Sequence, residues 1–283
     1  MEIITAKSAG FCFGVKRAVD MAYEQSEGQN IYTFGPVIHN EHVVKDLTDK
    51  GIKVLNSVED IMNAPVGTVI IRAHGVTTEV YDAIKDRGHM LVDATCPFVL
   101  KIHNIVRKAS KEGSYIVIIG DANHPEVMGI KSEAKDNSVV LSDISEAEKF
   151  MSDPENCRKK LCVVFQTTYN FKKFQEFVEI FQKNSYDKVD VLNTICNATE
   201  VRQHEAAEIA ACVDAMIVVG DLKSSNSQKL YEICSNACRH TFFIQTADDM
   251  DFSKLKGFER IGITAGASTP NNIIKEVQIR CQT

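Results

Sequence analysis

Short, continuous apolar runs alternate along this chain with stretches of helical periodicity. Ile116–Ile119 and Met216–Val219 are apolar at every position, and Thr68–Ile71, Cys162–Phe165 and Ile261–Thr264 are nearly so. Runs of this length without polar alternation are the pattern of parallel strands buried on both faces. Ile52–Leu55, Ser138–Leu141 and Phe242–Ile244 predict further strands, and short helices are predicted at Val58–Met62, near Ser145–Met151 and near Phe252–Leu255. Between 97 and 113, Val99, Ile102, Ile105, Val106 and Ala109 recur at helical spacing, with Pro97 in the first turn and Gly113 past the end. Val15, Ala18, Val19 and Ala22 mark a similar helix after Cys12. The alternation predicts an α/β fold.

The elements repeat. Setting Cys96 over Cys196, a shift of 100 residues, aligns the following stretch without a gap. Ile118-Ile119-Gly120-Asp121 falls on Val218-Val219-Gly220-Asp221, and His124-Pro125-Glu126 falls on Ser224-Ser225-Asn226. Cys12 opens a third copy: Cys12 to His39 spans 27 residues, against 28 from Cys96 to His124 and 28 from Cys196 to Ser224. A self-match on this scale is a domain-sized duplication. Three small α/β domains with parallel sheets, related by a pseudo-threefold axis, are expected at 1–95, 96–195 and 196–283. Asn197-Ala198-Thr199-Glu200 has the spacing of a capping box at the head of the third.

Composition narrows the function. A net charge of −6 argues against a nucleic-acid-coating or anionic-membrane surface. No signal-peptide pattern opens the chain, and no apolar run approaches a membrane span, so a cytoplasmic protein is expected. Nine cysteines, an odd number with no C-x-x-C pair, then cannot be a disulfide framework or a zinc ribbon. Most read as small buried hydrophobes.

The repeat selects the exceptions. Cys12, Cys96 and Cys196 hold equivalent places, each ahead of a helix, where the N-terminus favours thiolate. Three equivalent thiolates suit a [4Fe–4S] cluster with one iron left open to substrate, at the centre of the three domains. Cys157, Cys162, Cys212, Cys234, Cys238 and Cys281 occupy no repeated position and read as packing residues.

Ligands bind beyond the carboxyl ends of parallel strands. Six polar motifs lie there: His39-Asn40, His74-Gly75, His124-Pro125-Glu126, Gln166-Thr167-Thr168, Ser224-Ser225-Asn226 and Ser268-Thr269. Histidines, hydroxyls and helix-start N–H groups are a donor set for phosphate or diphosphate. Glu126 is the carboxylate among them, and desolvation beside Thr167 and His124 would make it a proton donor. His42, His89, His103, His204 and His240 are read as structural.

Taken together, these motifs resemble the LytB family of 4-hydroxy-3-methylbut-2-enyl diphosphate reductases. The resemblance is carried by Gly10-Phe11-Cys12-Phe13-Gly14-Val15, Ala73-His74-Gly75-Val76, Asp93-Ala94-Thr95-Cys96-Pro97, Cys196 with Ala198-Thr199, Ser224-Ser225-Asn226-Ser227 and Thr264-Ala265-Gly266-Ala267-Ser268, together with the His39, His124 and Gln166 motifs. Phe13 stands where some relatives have alanine. The resemblance implies a [4Fe–4S] cluster on Cys12, Cys96 and Cys196 with the substrate hydroxyl on its open iron. It further implies an allylic diphosphate held by His39, His74, His124, Thr167, Thr168, Ser224, Ser225, Asn226 and Ser268, and protons supplied by Glu126 with Thr167 and His124. Isopentenyl and dimethylallyl diphosphate would be the products, and ferredoxin or flavodoxin the electron donor. The alternatives are a three-cysteine iron–sulfur lyase of the quinolinate synthase type, which needs no reductant, and a non-catalytic metal sensor.

Overall fold

A computed structural model describes residues 1–183 and 188–282. The first elements are β1 (Glu2–Thr5), α1 (Phe13–Glu24), β2 (Ile31–Phe34), α2 (Glu41–Asp49), β3 (Lys53–Leu55), α3 (Val58–Asn63), β4 (Thr68–Ile71), α4 (Thr78–Arg87) and β5 (Met90–Asp93). There follow α5 (Pro97–Lys111), β6 (Tyr115–Ile119), α6 (Pro125–Ala134), β7 (Ser138–Leu141), α7 (Ile144–Met151), α8 (Pro154–Cys157), β8 (Leu161–Phe165), α9 (Phe174–Lys183) and β9 (Val189–Val191). The chain closes with α10 (Asn197–Ala210), β10 (Ala215–Val219), α11 (Ser225–Ala237), β11 (Thr241–Ile244), β12 (Arg260–Ala265) and α12 (Asn271–Gln282).

Among the described residues the strands form three four-stranded parallel sheets, ordered β3-β2-β4-β5, β7-β6-β8-β9 and β1-β12-β10-β11. In each, the chain leaves a central strand toward one edge and returns on that strand's other side. The order therefore reverses between β2 and β4, between β6 and β8, and between β10 and β12, which is where open α/β sheets bind ligands. All six polar motifs follow these central strands.

The apolar runs are central because both their faces are covered. In the third sheet Ala215, Ile217 and Val219 pack with Ile273, Ile274 and Val277 of α12, while Met216 and Val218 pack with Ala206 of α10 and Leu230 of α11. In the second, Val117, Ile119, Val163 and Phe165 face Phe177 and Phe181 of α9, and Ile116, Ile118 and Val164 face Ile102, Val106, Val127 and Ile130. Burying one such side chain is worth about 1.5–3 kcal/mol.

Two expectations change. Each sheet gains a fourth strand immediately before a signature cysteine. These strands (β1, β5 and β9) sit at sheet edges, partly exposed, and β1 and β9 lack a continuous apolar run of the central-strand kind. β1 moreover pairs with β12, Glu2 opposite Arg260 and Thr5 opposite Ile263, so the start of the chain joins the third sheet rather than the first. Phe252–Leu255 forms the expected short helix, of 3₁₀ type.

The chain divides into two compact units. One comprises Met1–Lys16, Ile38–Asp46 and Cys196 onward; the other comprises Arg17–Val37 and Leu47–Ile195. Among the described residues no helix is long and apolar enough to cross a membrane.

Candidate functional site

In the unit that carries the first two sheets, the loop after β6 delivers His124 and Glu126. Pro125 occupies the first turn of α6 and His124 is its N-cap, accepting the Glu126 N–H on Nδ1 at 3.2 Å. That bond makes Nδ1 an acceptor, which leaves Nε2 to carry the proton of the neutral ring. The His74 ring meets His124 edge to face, 5.3 Å between centroids at 85°.

Glu126 is 1% exposed. Its Oε1 accepts the Thr167 backbone N–H at 2.7 Å and its Oε2 accepts the Thr167 hydroxyl at 2.7 Å, from the loop after β8. Burial pushes its pKa above the ordinary 4.5, against the pull of the two Thr167 bonds and of His103. The result is a buried carboxyl biased toward its protonated form, as a proton donor requires. Thr168, one position on, is half-buried. His103 and His89 keep the structural reading. His103 Nδ1 pairs with Glu133 at 3.3 Å, and His89 bridges Gly67 N–H and the Ile61 carbonyl.

The other unit carries hydroxyls and amides at its own strand ends. Ser224 caps α11, its side chain accepting the Ser227 N–H. Thr269 ties its loop back to β10, donating from Oγ1 to the Val219 carbonyl at 3.0 Å. Among the described residues, Asn226 Nδ2, Ser227 Oγ, Thr264 Oγ1 and Ser268 Oγ are all buried without a hydrogen-bond partner. Each such atom costs about 1–3 kcal/mol. Four of them at the carboxyl ends of β10 and β12, beside the N-terminus of α11, point to an anionic ligand rich in acceptor oxygens. Ser227 and Thr264 were quoted above within motifs but not as ligand residues. Ser227 is wedged where neither Gly220 nor Gly266 could carry a Cβ without striking its Oγ. Asn40 caps α2 by accepting the Val43 N–H on Oδ1 at 3.1 Å, with His39 beside it in the chain.

The three cysteines stand alike. The carbonyls of Cys12, Cys96 and Cys196 accept the N–H groups of Lys16 at 2.9 Å, Leu100 at 3.0 Å and Glu200 at 3.1 Å, the first helical bonds of α1, α5 and α10. The thiols of Cys96 and Cys196 make no capping bond, so each helix start faces a sulfur rather than a hydroxyl. Cys196, not Asn197, is the N-cap of α10, and the expected capping box is not formed because Asn197 already lies inside the helix. Of the remaining cysteines, Cys162, Cys234, Cys238 and Cys281 are buried packing groups, whereas Cys157 is partly buried and Cys212, expected to pack, is exposed. Burial pushes the thiols of Cys162 and Cys281 up to about 11 and that of Cys234 up to about 12, which opposes thiolate ligation. The chemistry of Cys12, Cys96 and Cys196, each a thiol at a helix start, suits iron–sulfur ligation.

The family model for LytB protein matches residues 3–282. The chain belongs to the LytB family. A LytB relative from Geobacter sulfurreducens, a 4-hydroxy-3-methylbut-2-enyl diphosphate reductase, is 47% identical over 285 residues, covering 100% of this chain and 97% of its own. Another of the same name, from Caldanaerobacter subterraneus subsp. tengcongensis, is 43% identical over 280 residues, covering 98% and 95%. Among solved LytB structures, the E-1-hydroxy-2-methyl-but-2-enyl-4-diphosphate reductase of Plasmodium falciparum superposes with a TM-score of 0.89 at 29% identity, covering 98% of this chain and 86% of that one. A second, described as the terminal enzyme of the non-mevalonate pathway, gives 0.70 at 37% identity, covering 100% and 99%. The lyase reading finds no support in LytB membership.

Proposed function

We infer that the chain catalyses the reductive removal of the hydroxyl from (E)-4-hydroxy-3-methylbut-2-enyl diphosphate, the activity for which its relatives are named. Two electrons and two protons convert the C–OH bond to C–H and water, giving isopentenyl or dimethylallyl diphosphate. The observation that carries the reading is Glu126, a buried carboxyl fastened at both oxygens by Thr167 and biased toward the acid form.

The chain's own residues have separable tasks. Ser268 Oγ and Asn226 Nδ2 are buried donors in want of an acceptor, and phosphate oxygens provide one. Ser224, Ser225 and the head of α11 add N–H groups and positive dipole to the same anion. His39, His74, His124 and Thr168 extend this donor set. Glu126 holds the proton that the departing hydroxyl needs, Thr167 fixes its orientation, and His124 orders the turn that presents it. A [4Fe–4S] cluster held by Cys12, Cys96 and Cys196 would supply the electrons and a Lewis-acidic iron. Ferredoxin or flavodoxin is the proposed donor of those electrons, and the cytoplasm the proposed compartment.

The test is anaerobic purification followed by reaction with the hydroxylated diphosphate and a chemical reductant. Brown protein with a [4Fe–4S] spectrum, forming both products, is expected. Colourless, zinc-loaded protein would sink the cluster assignment, and an iron-loaded protein that leaves the diphosphate intact would sink the activity.

A further inference from the structure

Arg202 lies on α10, six residues after Cys196, and is only 3% exposed. Its Nη1 donates to the Ala265 carbonyl at 2.7 Å, at the end of β12. Its Nη2 donates to the Gly10 carbonyl at 2.9 Å, two residues before Cys12. Its Nε is buried with no hydrogen-bond partner among the described residues. A buried guanidinium stays charged and is costly unless negative charge faces it. Glu205, three residues on, is the carboxylate whose charge acts on Arg202, but it is engaged elsewhere: its Oε1 accepts the Lys7 N–H at 2.7 Å and its Oε2 the Ser8 N–H at 2.9 Å. The other groups that act electrostatically on Arg202 are the side chains of Cys12 and Cys196.

α10 therefore holds the loop 7–12 at two places. Glu205 takes the N–H groups at its start, and Arg202 takes the carbonyl of Gly10, whose φ of +103° favours glycine. A Cβ at Gly10 would sit 2.5 Å from Asn271 Oδ1, so the loop has little room to shift. The Cys12 N–H closes the arrangement on the Ala267 carbonyl at 3.2 Å. One helix thus carries Cys196 at its head and fixes the backbone that presents Cys12. A related device occurs near Cys96, where Arg17 donates to the Thr95 carbonyl at 3.1 Å and the Asp93 carbonyl at 3.3 Å.

We propose that Arg202 is a positioning residue for the iron–sulfur cluster, setting the Cys12–Cys196 pair and placing a buried cation against the charge gained on reduction. This rests on the reading that Cys12 and Cys196 are cluster ligands. A [4Fe–4S]²⁺ core with three thiolates is anionic, and each added electron deepens that charge. A fixed, desolvated cation stabilises the reduced form and raises the potential.

The experiment compares anaerobically prepared wild-type, Arg202→Gln, Arg202→Lys and Glu205→Gln proteins. Iron content, the midpoint from an EPR-monitored titration, and the rate of iron loss to a chelator are the readouts. Arg202→Gln is expected to shift the one-electron equilibrium at least about tenfold toward the oxidised form, about 59 mV, and to lose iron faster. Arg202→Lys should keep most of the potential yet lose iron faster, because an ammonium cannot bridge two carbonyls as the planar fork does. Glu205→Gln should loosen the loop and leave the potential in place. An unchanged midpoint and unchanged retention in folded Arg202→Gln would overturn the proposal. So would loss of fold in both arginine variants by circular dichroism, which would make Arg202 a folding residue. Wild-type protein without a cluster would instead overturn the reading on which the proposal rests.

Discussion

Replacing Glu126 by glutamine separates proton donation from every other property of the site. The amide is nearly isosteric with the carboxyl. Its carbonyl can keep the Thr167 N–H, and its NH₂ can donate to the Thr167 hydroxyl once that hydroxyl turns, so both 2.7 Å links survive. The transferable proton is lost. A positioned general acid contributes about 10²–10⁴-fold, which is about 2.7–5.4 kcal/mol of barrier. Anaerobic steady-state kinetics should therefore show kcat lowered by about two to four orders of magnitude, with KM and iron content near wild type. The pH dependence follows from the sign of the shift. Burial raises the folded pKa of Glu126 above 4.5, so the acid form dominates below the raised value and is lost as pH climbs through it. Wild-type kcat should fall along that limb, and Glu126→Gln should lack it. Linkage runs the same way. Ionising the buried carboxyl costs stability as pH rises from 4.5 through the folded pKa, and the variant should show no such loss. A kcat within about threefold of wild type, or an unaltered descending limb, would refute proton donation from Glu126.

Two further substitutions probe the ends of the ligand set. Gly266→Ala would drive a Cβ into Ser227 Oγ, so thermal denaturation should report about 1–3 kcal/mol of lost stability, with KM for the diphosphate raised and iron unchanged. An unaltered KM would remove the β12 end from the phosphate site. Cys234→Ala deletes a fully buried sulfur that lies 3.8 Å from the Ala206 carbonyl. It should cost about 1–2 kcal/mol with full iron content, and a loss of iron would mean that the ligand cysteines were misassigned.

How much of this could be read in advance depended on whether a residue's task left a mark at its own position. The central strands were legible because burial on both faces demands unbroken apolar runs, as in Ile116–Ile119. The equivalent helix starts at Cys12, Cys96 and Cys196 were legible because duplication preserved their offsets. Glu126 and Thr167 stood out as polar motifs after central strands, and their two hydrogen bonds follow from that placement. The edge strands were not legible. Val189–Val191 has Asp190 at its middle, and nothing in Glu2–Thr5 states which sheet it completes. Arg202 was hidden for another reason. A single arginine in a helix reads as surface until the carbonyls it serves, at Gly10 and Ala265, are folded against it, 192 and 63 residues away. Thr264 was hidden among strand residues, because threonine is at home in a strand and its unmet hydroxyl shows only in three dimensions.

The pairing of β1 with β12 also bears on how the chain reaches its fold. β1 has no strand partner until residues 260–263 emerge from the ribosome, long after β1 itself. The sheets of β2–β5 and β6–β9 draw all their strands from contiguous stretches and can form in the order of synthesis. The third cannot, because its edge strand β1 and its central strand β12 are separated by the other two sheets along the chain. Its completion is the step with the largest loop closure, and slow folding and exposure to misassembly are expected to concentrate there. The same unit carries Cys12 and Cys196. The mutual placement of these two proposed iron ligands is accordingly expected to be set late in folding, once β12 has paired with β1.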